Sequence, residues 1–166
     1  MMKSGIWRLG LALLLALGAF LFYQYRQPRF VAGEKAPDFS VTLANGEAFR
    51  LSDLKGKHVL LQFWGSWCGP CRAENPHLAE LYRKYHDAGF EIVSIAIEQN
   101  SRNWQRAIET DGMAWKYHAA EFGQFNGPLA RLFNIRSIPT TFLISPEGVI
   151  MGVRLSPEMI EKMLRQ

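Results

Sequence analysis

Apolar residues in this chain fall into runs whose length and spacing separate strands from helices. Val59 to Trp64 is nearly unbroken and predicts a central strand buried on both faces, as does Phe90 to Ile97. Between them Leu78, Leu81, Tyr82 and Tyr85 recur at helical spacing, predicting a helix that runs from the cysteines to about His86 and is ended by Ala88-Gly89. Ser40 to Leu43 and Ala48 to Leu51 flank Asn45-Gly46, a hairpin turn signal, and Ser52 to Lys57 reads as a short helical turn into a bend. Ser101 is the expected N-cap of a helix carrying Trp104, Ala107 and Ile108, with Gly112 as its stop. Thr140 to Ile144 predicts a strand, and Pro146-Glu147-Gly148 turns it into Val149 to Val153. Ser156 and Pro157 open a last helix with Met159, Ile160, Met163 and Leu164 facing inward. Strand, helix, strand, helix, strand, strand, helix implies an α/β domain with a mixed sheet and helices on both faces. Met113 to Pro128 is aromatic and Gly-punctuated and shows no chemistry; Trp104, Trp115, Tyr117, Phe122 and Phe125 read as core or loop packing.

The longest apolar block stands apart from this pattern. Leu9 to Tyr23 is 15 residues without a charge, extended by Ile6 and Trp7 if Arg8 snorkels to the interface. A cleaved signal peptide and an uncleaved anchor both fit such a block. Cleavage at the small-x-small site Ala16-Leu17-Gly18 would leave Phe20 to Tyr23 exposed, which favours the anchor. No cysteine lies nearby, so a lipidated N-terminus is excluded. Lys3, Arg8 and the α-amino group favour a cytoplasmic N-terminus, opposed in part by Arg26 and Arg29, so the domain is expected outside the cytoplasm. Residues 1–29 are thus read as anchor and tether, with Gln24 to Gly33 a short polar link, and residues 30–166 as one domain. The first 29 residues hold the whole net charge of +4, and the remaining 15 basic residues balance 15 acidic ones. A neutral body without a basic run gives no reason to expect nucleic acid.

The candidate chemistry is concentrated in one place. Both cysteines lie in Trp67-Cys68-Gly69-Pro70-Cys71, directly behind the first central strand and before the first long helix. The spacing admits half a zinc site, a structural disulfide or a redox pair. A zinc site lacks two ligands, because there are no further cysteines and His58, His77, His86 and His118 have no ligand spacing. A structural disulfide closing so short a loop would stabilise little. At a strand-to-helix junction, unpaired amides and the helix dipole would stabilise a Cys68 thiolate.

Phe63-Trp64-Gly65-Ser66-Trp67-Cys68-Gly69-Pro70-Cys71-Arg72-Ala73-Glu74 resembles the active-site segment of the thioredoxin superfamily, and Ile138-Pro139-Thr140-Thr141-Phe142 resembles its cis-proline loop. Ala36-Pro37-Asp38-Phe39 and Leu54-Lys55-Gly56-Lys57 resemble the N-terminal hairpin extension of the TlpA-like and ResA-like branch, whose members are commonly membrane-tethered reductases of extracytoplasmic disulfides. The likeness covers roughly residues 33–166. It implies a thioredoxin-like fold behind one transmembrane helix, in the bacterial inner membrane with the domain periplasmic. The implied partners are protein disulfides, apocytochrome c among them, and a membrane dithiol donor upstream; no cofactor is called for.

By the same resemblance Cys68 and Cys71 form the redox-active disulfide, Cys68 attacking and Cys71 resolving. Trp67 joins an apolar rim for the partner, Gly69-Pro70 matches the reducing members, and a cis Pro139 turns the Ile138 backbone toward substrate. Gln62 stands where cytoplasmic thioredoxins carry an acid, so Glu74, three residues after Cys71, is the candidate proton acceptor; the alternative is that Glu74 only complements the helix dipole. Two other functions use this fold. Thiol peroxidases need Pro-x-x-x-Thr/Ser-x-x-Cys, but Leu61 and Gly65 precede Cys68 at those places, and Trp64 and Cys68 precede Cys71. Copper(I) chaperones use a Cys-x-x-x-Cys spacing one residue longer than that found here.

Overall fold

The computed structural model describes residues 3–165. Helix α1 (Lys3–Arg26) is 24 residues long, about 36 Å at 1.5 Å per residue, enough to cross a bilayer core. Its Trp7–Tyr25 portion has a mean hydropathy of 1.5 and none of its residues is buried in the rest of the chain.

The domain is built on a five-stranded sheet in the order β5-β4-β3-β6-β7. Strands β3 (His58–Trp64), β4 (Phe90–Ile97) and β5 (Tyr117–Glu121) run parallel, while β6 (Thr140–Ile144) and β7 (Ile150–Val153) add an antiparallel edge. The hairpin β1 (Ser40–Thr42) and β2 (Ala48–Arg50) forms a separate sheet, with Gly46 supplying the positive φ of 85° that its turn requires. Alternation along β3 divides the core. Val59, Leu61 and Phe63 join Phe39, Phe49, Phe133 and Phe142 under the hairpin. Leu60 and Trp64 join Leu78, Trp104 and Ile160 under the helices α2 (Gly69–Tyr85), α3 (Ser101–Thr110) and α5 (Pro157–Leu164).

The expected architecture is present, with local corrections. The fifth strand, β5, and the short α4 (Pro128–Leu132) lie between Gly112 and Pro139, where the apolar pattern predicts no element. Tyr117-His118-Ala119-Ala120-Glu121 has no β-branched residue, so its strand character comes from pairing along β4. The N-cap of α3 is Asn100 rather than Ser101: its Oδ1 accepts from the amides of Arg102 and Asn103 at 3.0 and 3.2 Å. In α5 Ile160 is buried but Met159 is 52% exposed, one residue off the inward stripe.

The tether is not a loose link. Asn134, left-handed at φ 51°, donates its side-chain amide to the carbonyls of Tyr25 and Gln27 at 3.2 and 2.7 Å, capping the end of α1. The Arg136 guanidinium lies 4.6 Å from the Tyr25 ring centre, and the Arg29 amide donates to the Phe133 carbonyl. Phe30 packs edge-on against Phe133, after which residues 33–36 hydrogen-bond along the start of β7.

Candidate active site

The sheet's central strand ends at Trp64, and the chain must turn sharply to enter α2. Gly65 permits the turn, because a Cβ there would lie 2.9 Å from the Trp67 indole nitrogen and 3.1 Å from the Ile97 carbonyl. Through that gap the Trp67 indole donates to the Ile97 carbonyl at 2.8 Å. Trp67 remains 52% exposed, its ring edge-on to Phe125 at 6.3 Å. It is therefore both held in place and presented to solvent.

Cys68 is the N-cap of α2, its sulfur accepting from the Cys71 amide at 3.2 Å. Gly69 and Pro70 form the first two helical positions, and Pro70, which has no amide hydrogen to leave unpaired, is exposed. The two sulfurs are bonded, with Cα atoms 5.3 Å apart. Cys68 retains 5% exposure while Cys71 has none, so the pair has an outer and an inner sulfur. No acidic residue occupies the first turn of α2, which leaves the positive end of the helix facing Cys68.

The Ile138–Pro139 peptide bond is cis. Ile138 packs against the cluster that contains both cysteines, and Pro139 shares with Glu74, Thr141, Arg154, Leu155 and Ser156 a cavity of about 180 Å³. Glu74 is half-buried there. Burial raises its pKa above the usual carboxylate range, His77 offsetting this and Glu158 adding to it. One of its carboxylate oxygens is buried without a hydrogen-bond partner among the described residues. All seven sequence-derived site residues thus gather at one end of the sheet, in two groups: Trp67, Cys68, Pro70 and Cys71 at the helix start, and Glu74, Ile138 and Pro139 beside it.

Gln62 takes a structural place. It is fully buried, with its amide donating to Asn75 Oδ1 at 2.9 Å and its carbonyl accepting from Ser94 Oγ at 2.8 Å. Asn75 in turn donates to Asp111, which grips Arg72 in a two-pronged ion pair, and Arg72 also reaches the Ser66 carbonyl. On the other side of the loop the buried Glu98 carboxylate accepts from both the amide and hydroxyl of Ser66. Glu98, Asn75 and Asp111 were not singled out from the sequence. The available signal was an acid directly after the predominantly apolar β4, at the carboxyl end of a parallel strand where sites form.

Comparison with known proteins agrees with this geometry. The AhpC/TSA family pattern matches residues 32–153. The thiol-disulfide oxidoreductase ResA of Geobacillus kaustophilus is 32% identical over 159 residues, covering 93% of this chain and 89% of that protein. ResA of Bacillus subtilis is 34% identical over 132 residues, covering 80% and 71%. Among solved structures, the thioredoxin domain of a thiol-disulfide oxidoreductase from Bacteroides vulgatus superposes with a TM-score of 0.74 at 28% identity, covering 82% of this chain and 96% of that one. A thiol:disulfide interchange protein from a Bacteroides species gives 0.73 at 28% identity, covering 82% and 92%. An outer and an inner sulfur at a helix start suit thiol-disulfide exchange, and the chain belongs to the AhpC/TSA family as a thioredoxin-fold, ResA-like thiol-disulfide oxidoreductase.

Proposed function

We propose that this protein reduces protein disulfides outside the cytoplasm, held there by α1, with apocytochrome c among its substrates. The observation that carries the proposal is the graded burial of the two sulfurs at the start of α2, Cys68 outside and Cys71 inside. Reduced Cys68, as thiolate, attacks one sulfur of the substrate disulfide. That bond breaks, the departing substrate thiolate takes a proton from solvent, and a mixed disulfide forms. Cys71 then loses its proton and attacks the Cys68 sulfur, releasing the second substrate thiolate and leaving the Cys68–Cys71 disulfide. A membrane dithiol donor is oxidised to its disulfide, returning two electrons and the Cys71 proton while its second proton goes to solvent, and so restores the Cys68 thiolate and Cys71 thiol. The half-exposed ring of Trp67 and the exposed Pro70 offer an apolar surface to the substrate, and the Ile138 backbone before the cis bond offers it hydrogen bonds. Glu74, its carboxylate oxygen unpartnered, receives the Cys71 proton.

Substrate trapping tests this reading. A Cys71→Ala variant expressed in membranes is expected to accumulate mixed disulfides through Cys68 with extracytoplasmic proteins, and a Cys68→Ser variant to accumulate none. Trapping through Cys71 in the Cys68→Ser protein would reverse the two roles, and trapped partners that are all cytoplasmic would overturn the location.

A further inference from the structure

The charge balance of the domain conceals an asymmetry that the fold brings out. The chain has no Asp or Glu before Glu34, and none from Phe122 to Pro146. These are the two stretches that the tether joins at the end of α1, through Asn134 on Tyr25 and Gln27 and through Arg29 on Phe133. Arg29 and Arg136 therefore flank the helix end, and Arg131 lies one turn before Asn134, to whose amide its carbonyl is bonded; all three are exposed. None of the three forms a salt bridge among the described residues, whereas Lys57, Arg72, Lys84, Lys116 and Arg165 all do. The nearest acids in sequence are already engaged: Glu121 accepts from the amides of Leu129 and Ala130, and Glu34 from that of Val31. Arg136 is further fixed by stacking on Tyr25 and by donating to Asn134 Oδ1 at 2.9 Å.

We propose that Arg29, Arg131 and Arg136 form a docking surface for the phosphates of anionic lipids, which holds the domain down on the bilayer beside α1. The proposal rests on the reading of α1 as a membrane anchor. The exposed half-turn of aromatic Tyr23 and Tyr25 marks the interfacial depth, and guanidinium groups just beyond it meet the lipid phosphate plane. Three guanidinium groups without a carboxylate partner among the described residues, Arg29 lying over the Phe30 ring at 5.7 Å, are suited to contact with phosphate. The surface lies close to the chemistry as well. Asn134 is four residues before Ile138, so at full extension no more than about 14 Å of chain separates the helix clamp from the site. Docking the arginines on lipid accordingly sets the height at which the Cys68–Cys71 pair works.

The test is hydrogen exchange of the full chain in nanodiscs of neutral phosphatidylcholine, with or without about 30% phosphatidylglycerol. Amides of residues 129–137 are expected to exchange about tenfold more slowly in the anionic discs, and to return to the neutral-disc rate at about 0.5 M salt. Arg29→Gln with Arg131→Gln should remove the lipid dependence. Neither side chain holds another residue of the fold by a hydrogen bond or ion pair, so dithiothreitol-driven reductase activity should be unchanged and should report an intact domain. Exchange that ignores lipid charge would overturn the docking surface while leaving the anchor in place. The same slowing in neutral discs on adding inorganic phosphate would overturn lipid as the occupant. Failure of the chain to float with neutral vesicles would overturn the anchor, and the docking surface with it.

Discussion

Glu74 and His118 are the two titrating side chains whose burial matters most, and they pull stability in opposite directions. Burial raises the Glu74 pKa, so its contribution is present below the ordinary carboxylate value of 4.5 and is lost as pH rises through its folded value. Burial lowers His118 from 6.5 to about 4, offset by hydrogen bonds to the backbone of Met113 and Trp115; its neutral ring stacks on Trp115. That contribution is present above pH 6.5 and is lost as pH falls toward 4, on the order of 3 kcal/mol at 1.36 kcal/mol per unit. Urea denaturation of His118→Gln is expected to flatten the loss between pH 6.5 and 4, leaving the acid loss below 4.5 that comes from surface carboxylates such as Glu161, held down by Lys84 and Arg165. For Glu74 the functional and electrostatic readings separate cleanly. If it accepts the Cys71 proton, Glu74→Gln slows the resolving step about tenfold to a hundredfold and erases the limb on which rate climbs as the carboxyl ionises. An intact pH–rate profile, with only about 0.3–1 kcal/mol of stability lost, would reduce Glu74 to a dipole partner and leave water as the acceptor.

At the scale of elements, the catalytic loop is clamped from two sides: Glu98 at the end of β4 holds Ser66 from one, and the Arg72–Asp111 pair holds it from the other. The clamp continues inward through Asn75, Gln62 and Ser94 to the Trp115 indole, so the start of α2, the end of α3 and two strands share one polar chain. Asp111→Ala leaves both the Arg72 charge and the Asn75 amide without their partner and is expected to cost about 2–4 kcal/mol, below the range for a fully buried pair because Arg72 is partly solvated. A double-mutant cycle with Asn75→Ala should show non-additivity, and simple addition would mean that the chain is not coupled. This level of organisation was the least legible in the sequence. Strands β3, β4 and β6 and helix α2 were readable because each buries a regular stripe of apolar residues, and local patterning reports that directly. The candidate site residues were readable as a group because they are contiguous or carry a strong resemblance. Glu98 and Asp111 act on residues 32 and 39 positions away, and no local periodicity encodes such a pairing. Strand β5 was missed for a related reason, since Ala119 and Ala120 have no strand preference of their own and are ordered by β4.

For the whole molecule, the anchored reading predicts that the full chain stays with the membrane after alkaline extraction, with residues 1–23 retained. A soluble periplasmic form starting near Ala19 would make that segment a cleaved signal instead. Between α1 and the domain, the capped helix end, the Phe30–Phe133 contact and the hydrogen bonds of residues 33–36 to β7 leave almost no free backbone. On the anchored reading the domain is therefore an arm of fixed length rather than a float on a line. That reading predicts that, as α1 spins, the sulfur pair travels a circle at one altitude, so that selection among cystines is partly a question of how high each is carried. A target that presents its bond at that level meets Cys68 repeatedly during a shared lateral encounter, whereas the same bond lifted on a longer stalk passes above the orbit.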